Sequence, residues 1–258
     1  MYGILVDVTR CVACEKCVAA CVARNKGNSQ LADRDRATTK DGLSSHRRSA
    51  IISVDEGRFA RKSCMHCLEP ACVSACLVGS LKKTADGPVI YDKDKCIGCR
   101  YCMLACPFHV PRYEWDQTKP FVTKCDLCYD RIEQGQLPAC VEACPEGVLK
   151  FGDRDQLMAE AKSRIKAEPN RYRDHVWGEK EFGGTSVIYI SDVDLAELNW
   201  PDTGADSIPE LTEPLVHKTP FIGLGVAVGL ISLNWIVKRR NKLAGDDDSA
   251  KHSEENHE

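Results

Sequence analysis

The sequence predicts an α+β fold: two pseudo-symmetric, cysteine-rich halves of short strands and helices, then a single C-terminal transmembrane helix. Three observations predict it. All 16 cysteines of the 258 residues fall into four groups of four. Motif, short helix, turn and strand recur around each group, an internal repeat. Residues 221–237, FIGLGVAVGLISLNWIV, run for 17 positions without a charge.

The third group organises the chain. Residues 96–107 read CIGCRYCMLACP, so Cys96, Cys99, Cys102 and Cys106 are spaced C-x2-C-x2-C-x3-C ahead of Pro107. That is the bacterial ferredoxin spacing for a [4Fe–4S] cluster. In that pattern three thiolates hold one cluster and the fourth reaches a second, so motifs come in pairs. Pro107 lacks an N–H and fixes φ, which turns the chain away. Cys11, Cys14, Cys17 and Cys21 repeat the spacing, with Val22 in the proline position. Cys64, Cys67, Cys72 and Cys76 are spaced C-x2-C-x4-C-x3-C and followed by Leu77. Cys125, Cys128, Cys140 and Cys144 are spaced C-x2-C-x11-C-x3-C and followed by Pro145. No cysteine is left over, so sixteen thiolates serve four [4Fe–4S] clusters, four each. Zinc ribbons separate their C-x2-C pairs by a longer loop. A disulfide framework fits such close spacing poorly.

Composition bounds the rest. With 43% hydrophobic and 28% charged residues the chain is globular, and a net charge of −3 without a basic stripe gives no sign of nucleic-acid binding. Apolar runs in the cysteine-rich part are short, so it is expected to need iron to fold. MYGILVDVTR shows neither a basic region before a long apolar run nor a twin-arginine pair, and is expected to be no targeting signal.

In chain order, residues 2–8 read as a strand and 19–23 as a short helix. Residues 24–48 are polar and aperiodic, and read as a surface insertion. Residues 51–56 read as a strand, Asp86-Gly87 as a hairpin turn and 89–91 as a strand. Residues 121–123 lead into the fourth motif, whose long gap reads as a helical turn closed by Gly135 and Pro138. Residues 148–151 form a closing strand. Residues 153–166 form a helix capped by Asp153, with Leu157, Met158, Ala161 and Ile165 on one face. Residues 185–191 read as a further strand. The domain plan is therefore a four-cluster domain over 1–200 with its insertion at 24–48, a proline-rich acidic linker over 201–220, a transmembrane helix over 221–237 and a polar, acidic tail over 238–258.

A helix over 221–237 rises ~26 Å, near the lower limit for a bilayer span. Its glycines suit close packing in lipid, and Trp235 suits an interface. Lys238, Arg239, Arg240 and Lys242 place the tail in the cytoplasm and the cluster domain on the outer, periplasmic side of the cytoplasmic membrane.

These motifs resemble the four-cluster, ferredoxin-like electron-transfer subunits of membrane-bound respiratory oxidoreductases: formate dehydrogenase β subunits, [NiFe] hydrogenase iron–sulfur subunits and dimethyl-sulfoxide-reductase β subunits. The resemblance is carried by CVACEKCVAAC, CMHCLEPACVSAC, DKCIGCRYCMLACPFHVPRYEW and KCDLCYDRIEQGQLPACVEACPEGVLKFGDRD, with FGGTSVIYISDV as a C-terminal strand. It covers residues 2 to about 200. A single C-terminal membrane helix is similar to the formate dehydrogenase and hydrogenase branches, and formate dehydrogenase β subunits are exported with a signal-bearing catalytic partner. Leu77 departs from the proline common there. The resemblance implies the ligand sets: Cys11, Cys14 and Cys17 with Cys144; Cys125, Cys128 and Cys140 with Cys21; Cys64, Cys67 and Cys72 with Cys106; Cys96, Cys99 and Cys102 with Cys76. Spacing alone supports only crossed pairing inside a two-cluster module.

The expected function is a relay of single electrons between a catalytic subunit, of molybdopterin, tungstopterin or NiFe type, and an integral membrane cytochrome or quinone-reactive subunit. No substrate chemistry is expected, because cysteine fills every ligand position. The alternatives are a relay of another respiratory complex, with a molybdopterin reductase or multihaem partner, a standalone iron–sulfur reductase, or a zinc module. No nucleotide-binding glycine motif supports the standalone enzyme. His66 reads either as a cluster hydrogen-bond donor or as a partly solvated side chain; His109 and His217 are weaker candidates. Lys124 and Arg100, beside cysteines, either offset cluster charge or sit on the surface.

Overall fold

A computed structural model describes residues 1–25, 32, 39–115, 117, 118, 120–198, 200 and 206–254, the side chains of 214–217 and 243–254 excepted. The chain forms two units, Met1–Pro209 and Glu210–Glu258. In order, the elements are β1 (Tyr2–Asp7), α1 (Lys16–Arg24), β2 (Ala50–Asp55), β3 (Arg58–Lys62), α2 (Ala71–Ser74), β4 (Leu81–Lys83), β5 (Val89–Tyr91), α3 (Tyr101–Ala105), β6 (Arg112–Tyr113), β7 (Val122–Thr123), α4 (Tyr129–Glu133), α5 (Ala139–Glu142), β8 (Leu149–Asp153), α6 (Arg154–Ala167), β9 (Val187–Ile190) and α7 (Ile208–Glu254). Fold class is mixed helix and strand, as the alternating motifs suggest.

The central sheet has the order β8-β1-β9. β1 runs antiparallel to β8, with Val6 opposite Leu149, and parallel to β9, with Ile4 opposite Val187. β1 is buried from Gly3 to Asp7 rather than at alternate positions, because both faces of the sheet are covered. Ile4, Val6, Val187 and Tyr189 enter the core on the cysteine side. Leu5, Ile188 and Ile190 pack against Leu157, Met158, Ala161 and Ile165 of α6. Those four side chains form the apolar face expected from their spacing. Asp153 caps α6, accepting from the backbone N–H groups of Asp155 and Gln156 at 3.0 and 3.3 Å.

A second arrangement repeats the first locally. PACVSAC at residues 70–76 and PACVEAC at 138–144 start α2 and α5 alike, with Val73 donating to the Pro70 carbonyl and Val141 to that of Pro138, both at 2.9 Å. Past the last cysteine of each, Gly79 and Gly147 take positive φ of 61° and 57° and turn the chain into β4 and β8. α2 packs on α3 and α5 on α1. β4 pairs antiparallel with β5, as β8 does with β1.

Two differences from the sequence reading concern the periphery. Residues 24–48 read as a solvated loop, yet within the described part Ala32 and Leu43 are 2% and 1% exposed, and Arg47 is 2% exposed. Asp41 accounts for this: its carboxylate pairs with Lys62 at 3.2 Å and with Arg112, tying the segment down. The rest of that insertion, residues 26–31 and 33–38, lies outside the described residues. Helix α7 begins at Ile208, inside the stretch read as a linker. Pro209 occupies its first turn, where a missing N–H has no helical partner to lose. Residues 201–205 and 255–258 lie outside the described residues. In α7 the stretch Ile208–Lys242 is long and apolar enough to cross a membrane, with a mean hydropathy of 1.9 over its most apolar window.

Ile188 is fully buried between sheet and α6. Ile188→Ala is expected to cost about 2–5 kcal/mol, read as a lower denaturant midpoint with the iron content unchanged before unfolding. A loss below about 0.5 kcal/mol, the size of an ordinary surface change, would contradict this packing.

Candidate metal centres

The four cysteine loops share one backbone device. The residue just before the second cysteine has positive φ in every motif: Ala13 (54°), His66 (49°), Gly98 (72°) and Leu127 (59°). Glu15 and Arg100, just after the second cysteine of the two tight motifs, do so as well, at 56° and 63°. Left-handed backbone costs a non-glycine residue roughly 1–2 kcal/mol. It also curls successive N–H groups inward, making a concavity suited to an anion. Several N–H groups do meet sulfur: Ala13 donates to Cys11, and Phe108 and Val110 to Cys106. Ser80 donates to Cys76 at 3.2 Å, and Leu127 to Cys125 at 3.4 Å.

All 16 thiols are free, and the folded chain brings distant ones together. Cys11, Cys14, Cys17 and Cys144 line one cavity. Cys21, Cys125, Cys128 and Cys140 line another. Cys64, Cys72 and Cys106 crowd Cys67 electrostatically, and Cys76, Cys96 and Cys99 crowd Cys102. Within each half the two groups approach through their third cysteines, Cys17 with Cys140 and Cys72 with Cys102.

Burial, reinforced by neighbouring thiols, pushes Cys17, Cys102 and Cys106 up to about 11 and Cys72 to about 12. Such thiols hold their protons at neutral pH until a metal displaces them. Among the described residues no three His, Cys, Asp or Glu side chains converge as ligands of one ion. Four sulfurs on a single zinc stand only about 3.8 Å apart. A cubane presents an iron at each of four corners and so holds its thiolates further apart. Free thiols gathered in fours, buried or half-buried except for Cys14, two of the groups around cavities, with N–H groups aimed at sulfur, fit [4Fe–4S] clusters.

Cations surround these groups. Lys124 is 4% exposed; its ammonium donates to the carbonyls of Val89 and, at 2.9 Å, Cys125, and it faces Cys72 and Cys106. Of its two sequence readings the charge-offsetting one matches this burial. Lys83 donates to the His66 carbonyl at 3.0 Å, and burial, partly offset by Cys67 and Cys64, brings it down to about 8. Arg61 lines both cavities of the first half. Neither Lys83 nor Arg61 stands out in the sequence, because each sits beside another basic residue, Lys82 or Lys62, in a short strand that carries no signal of burial. His66 is fully buried, which removes its solvated reading. Its Nδ1 accepts the Val89 N–H at 2.9 Å, so the proton sits on Nε2. Burial, then Lys124, Lys83 and Arg61, hold it well below its ordinary value and neutral. Arg100 is a surface cation stacked on Trp115, 5.1 Å from the ring centroid. His109 is exposed. The side chain of His217 lies outside the described residues. Leu77 is 71% exposed, and Gly79 makes the turn that a proline would assist.

Residues 56–154 match the 4Fe-4S dicluster domain family. The chain is 36% identical over 283 aligned residues to "Hydrogenase-2 operon protein HybA" of Escherichia coli O157:H7, covering 93% of this chain and 85% of that protein. It is 34% identical over 222 residues to "Formate dehydrogenase-O iron-sulfur subunit" of Escherichia coli K12, covering 81% and 72%. It is 38% identical over 156 residues to one of the polypeptides of the anaerobic dimethyl sulfoxide reductase of the same strain, covering 60% and 75%.

The left-handed backbone at Gly98 generates a test. Gly98→Val puts a branched side chain at φ 72°, with the added Cβ 2.8 Å from the Tyr113 hydroxyl. The variant is expected to lose roughly 1–2 kcal/mol or more and part of its iron, measured by denaturation and iron assay. Unchanged iron and stability would contradict the strain argument.

Proposed function

Because this chain belongs to the ferredoxin-like iron–sulfur electron-transfer subunits of respiratory oxidoreductases, we propose a specific wiring for it. The chain is a relay subunit carrying four [4Fe–4S] clusters, each of which supplies a one-electron carrier when bound. The ligand sets proposed are Cys11, Cys14, Cys17 and Cys144; Cys21, Cys125, Cys128 and Cys140; Cys64, Cys67, Cys72 and Cys106; and Cys76, Cys96, Cys99 and Cys102. They make two pseudo-symmetric modules, the first closed by β1 with β8 and the second by β4 with β5. The observation that carries this reading is the sharing of single cavities by thiols of the first and fourth motifs.

The protein's part is to hold, insulate and tune. The second set is made of buried cysteines, whereas Cys14 reaches the surface, as do Ile97, Tyr101 and Leu104 around the fourth set. A conductor between two partners needs that pattern, with inner carriers dry and outer ones approachable. Tyr189, fully buried, stands within electrostatic reach of Cys125 and Cys64 and so between the modules. The partners proposed are a catalytic subunit of formate dehydrogenase or [NiFe] hydrogenase type at one end and a membrane quinone-reactive subunit at the other. Cys106→Ser tests both wiring and function. It is expected to abolish the signal of the second-motif cluster, leave that of the third motif, and stop quinone reduction while dye-linked activity of the catalytic subunit persists. Loss confined to the third-motif cluster would refute the pairing, and undiminished quinone reduction would refute the relay.

Residues 221–237 of α7 are proposed to cross the cytoplasmic membrane once. Arg239 lies over the Trp235 ring, 5.3 Å from its centroid, an interfacial pair at the end where Lys238, Arg240 and Lys242 add positive charge. The positive end belongs on the cytoplasmic side, with the cluster domain periplasmic. A C-terminal epitope should resist protease in spheroplasts and be cut in inverted vesicles; the opposite pattern would reverse the orientation.

A further inference from the structure

The least expected group in the cysteine-rich unit is Arg61, on β3. Its side chain is 2% exposed. It lines both cavities of the first module, with Cys17 beside it in one and Cys21, Cys125 and Cys140 in the other. Of the guanidinium, Nη1 donates to Ser63 Oγ at 2.6 Å, whereas Nε and Nη2 are buried without any hydrogen-bond partner in the protein. Among the described residues no carboxylate pairs with it. A buried guanidinium left with two unsatisfied donors and no counter-ion costs several kcal/mol, so the fold retains it only if something anionic fills the space beside it.

Its surroundings say what that is. A cubane with four thiolates is net negative, and more so after accepting an electron. A fixed positive charge next to it therefore stabilises the reduced form and raises the potential. Arginine suits the position better than lysine, because its planar fork presents donors in several directions at once and stays charged when buried. The backbone holds the fork in place: the Arg61 carbonyl accepts the Tyr189 hydroxyl at 2.8 Å, and Arg61 lies opposite Ile51 in the β2–β3 ladder.

We propose that Arg61 is a shared positioning and tuning residue, whose free Nε–H and Nη2–H donate to sulfur at the first-module clusters and whose charge sets both their potentials above what the thiol cage alone would give. This rests on the cluster reading above. The second module uses different cations, Lys124 and Lys83, so its clusters do not depend on Arg61 in this way.

The test is an EPR-monitored redox titration of the full chain in its membrane complex, with iron assayed alongside. Arg61→Gln keeps part of the side-chain volume and removes the charge. It is expected to lower the reduction constants of the two first-module clusters at least tenfold, about 59 mV for a one-electron couple, and to leave the second-module clusters where they were. Arg61→Lys should restore most of the shift. Unchanged first-module potentials in Arg61→Gln would overturn the proposal, as would an equal shift of all four clusters. Should Arg61→Gln assemble no first-module clusters, Arg61→Lys decides: recovered iron supports the counter-charge role, and iron lost there too overturns it. Absence of iron from the parent chain would instead sink the cluster reading itself, a separate failure.

Discussion

Sulfur atoms from distant parts of the chain must face one another, and the cysteine-rich unit is arranged around that requirement. Cys144 shares a cavity with Cys11, Cys14 and Cys17, more than a hundred residues away in sequence. That approach is made by pairing β8 with β1, so the sheet is the device that closes the first half. β9 adds the other edge and α6 the backing layer. The larger hydrophobic cluster lies on the cysteine side of the sheet, with several of the thiols packed into it, and a smaller one lies between the sheet and α6.

Charge follows from the same requirement. Groups that must ionise to hold metal are packed together and buried, which by itself drives their protons on. The chain answers with inward N–H groups at the left-handed loop positions, and with cations: Arg61 and Lys124, buried, and Lys83, half-buried. None of these cations has a carboxylate partner among its described hydrogen bonds. Their location makes chemical sense only beside an anionic group of the kind the cysteines hold. The strained φ of Ala13, His66 and Leu127 belongs to the same logic, local cost accepted where a ligand loop must curl.

Much of this was legible in the sequence, and the limits have physical causes. Cysteine spacing is a local property, so the four motifs and their chemistry could be read directly. Helix α6 was legible because its apolar residues recur on one face, and strands β1, β5 and β9 because they are short runs rich in β-branched and aromatic residues. Which motif faces which was not, because that depends on strand pairing over 150 residues, and resemblance alone suggested it. Arg61 and Lys83 were missed because composition treats basic residues as surface. Leu43 and Arg47 looked like parts of a solvated segment because their anchoring, through Asp41 to Lys62 and Arg112, is tertiary. Helix α7 begins at Ile208, within the stretch whose prolines and acids read as a linker, and Pro209 falls in its first turn, which tolerates it.

The most direct test of the central claim is metal analysis of the complex purified gently from membranes, counting iron, zinc, nickel, molybdenum and tungsten per copy of this chain. Four cubanes predict about 16 irons from this chain, in addition to those of its partners. Nickel alongside would indicate a hydrogenase-type partner, and molybdenum or tungsten a pterin enzyme. Zinc in place of iron would contradict the account at its root.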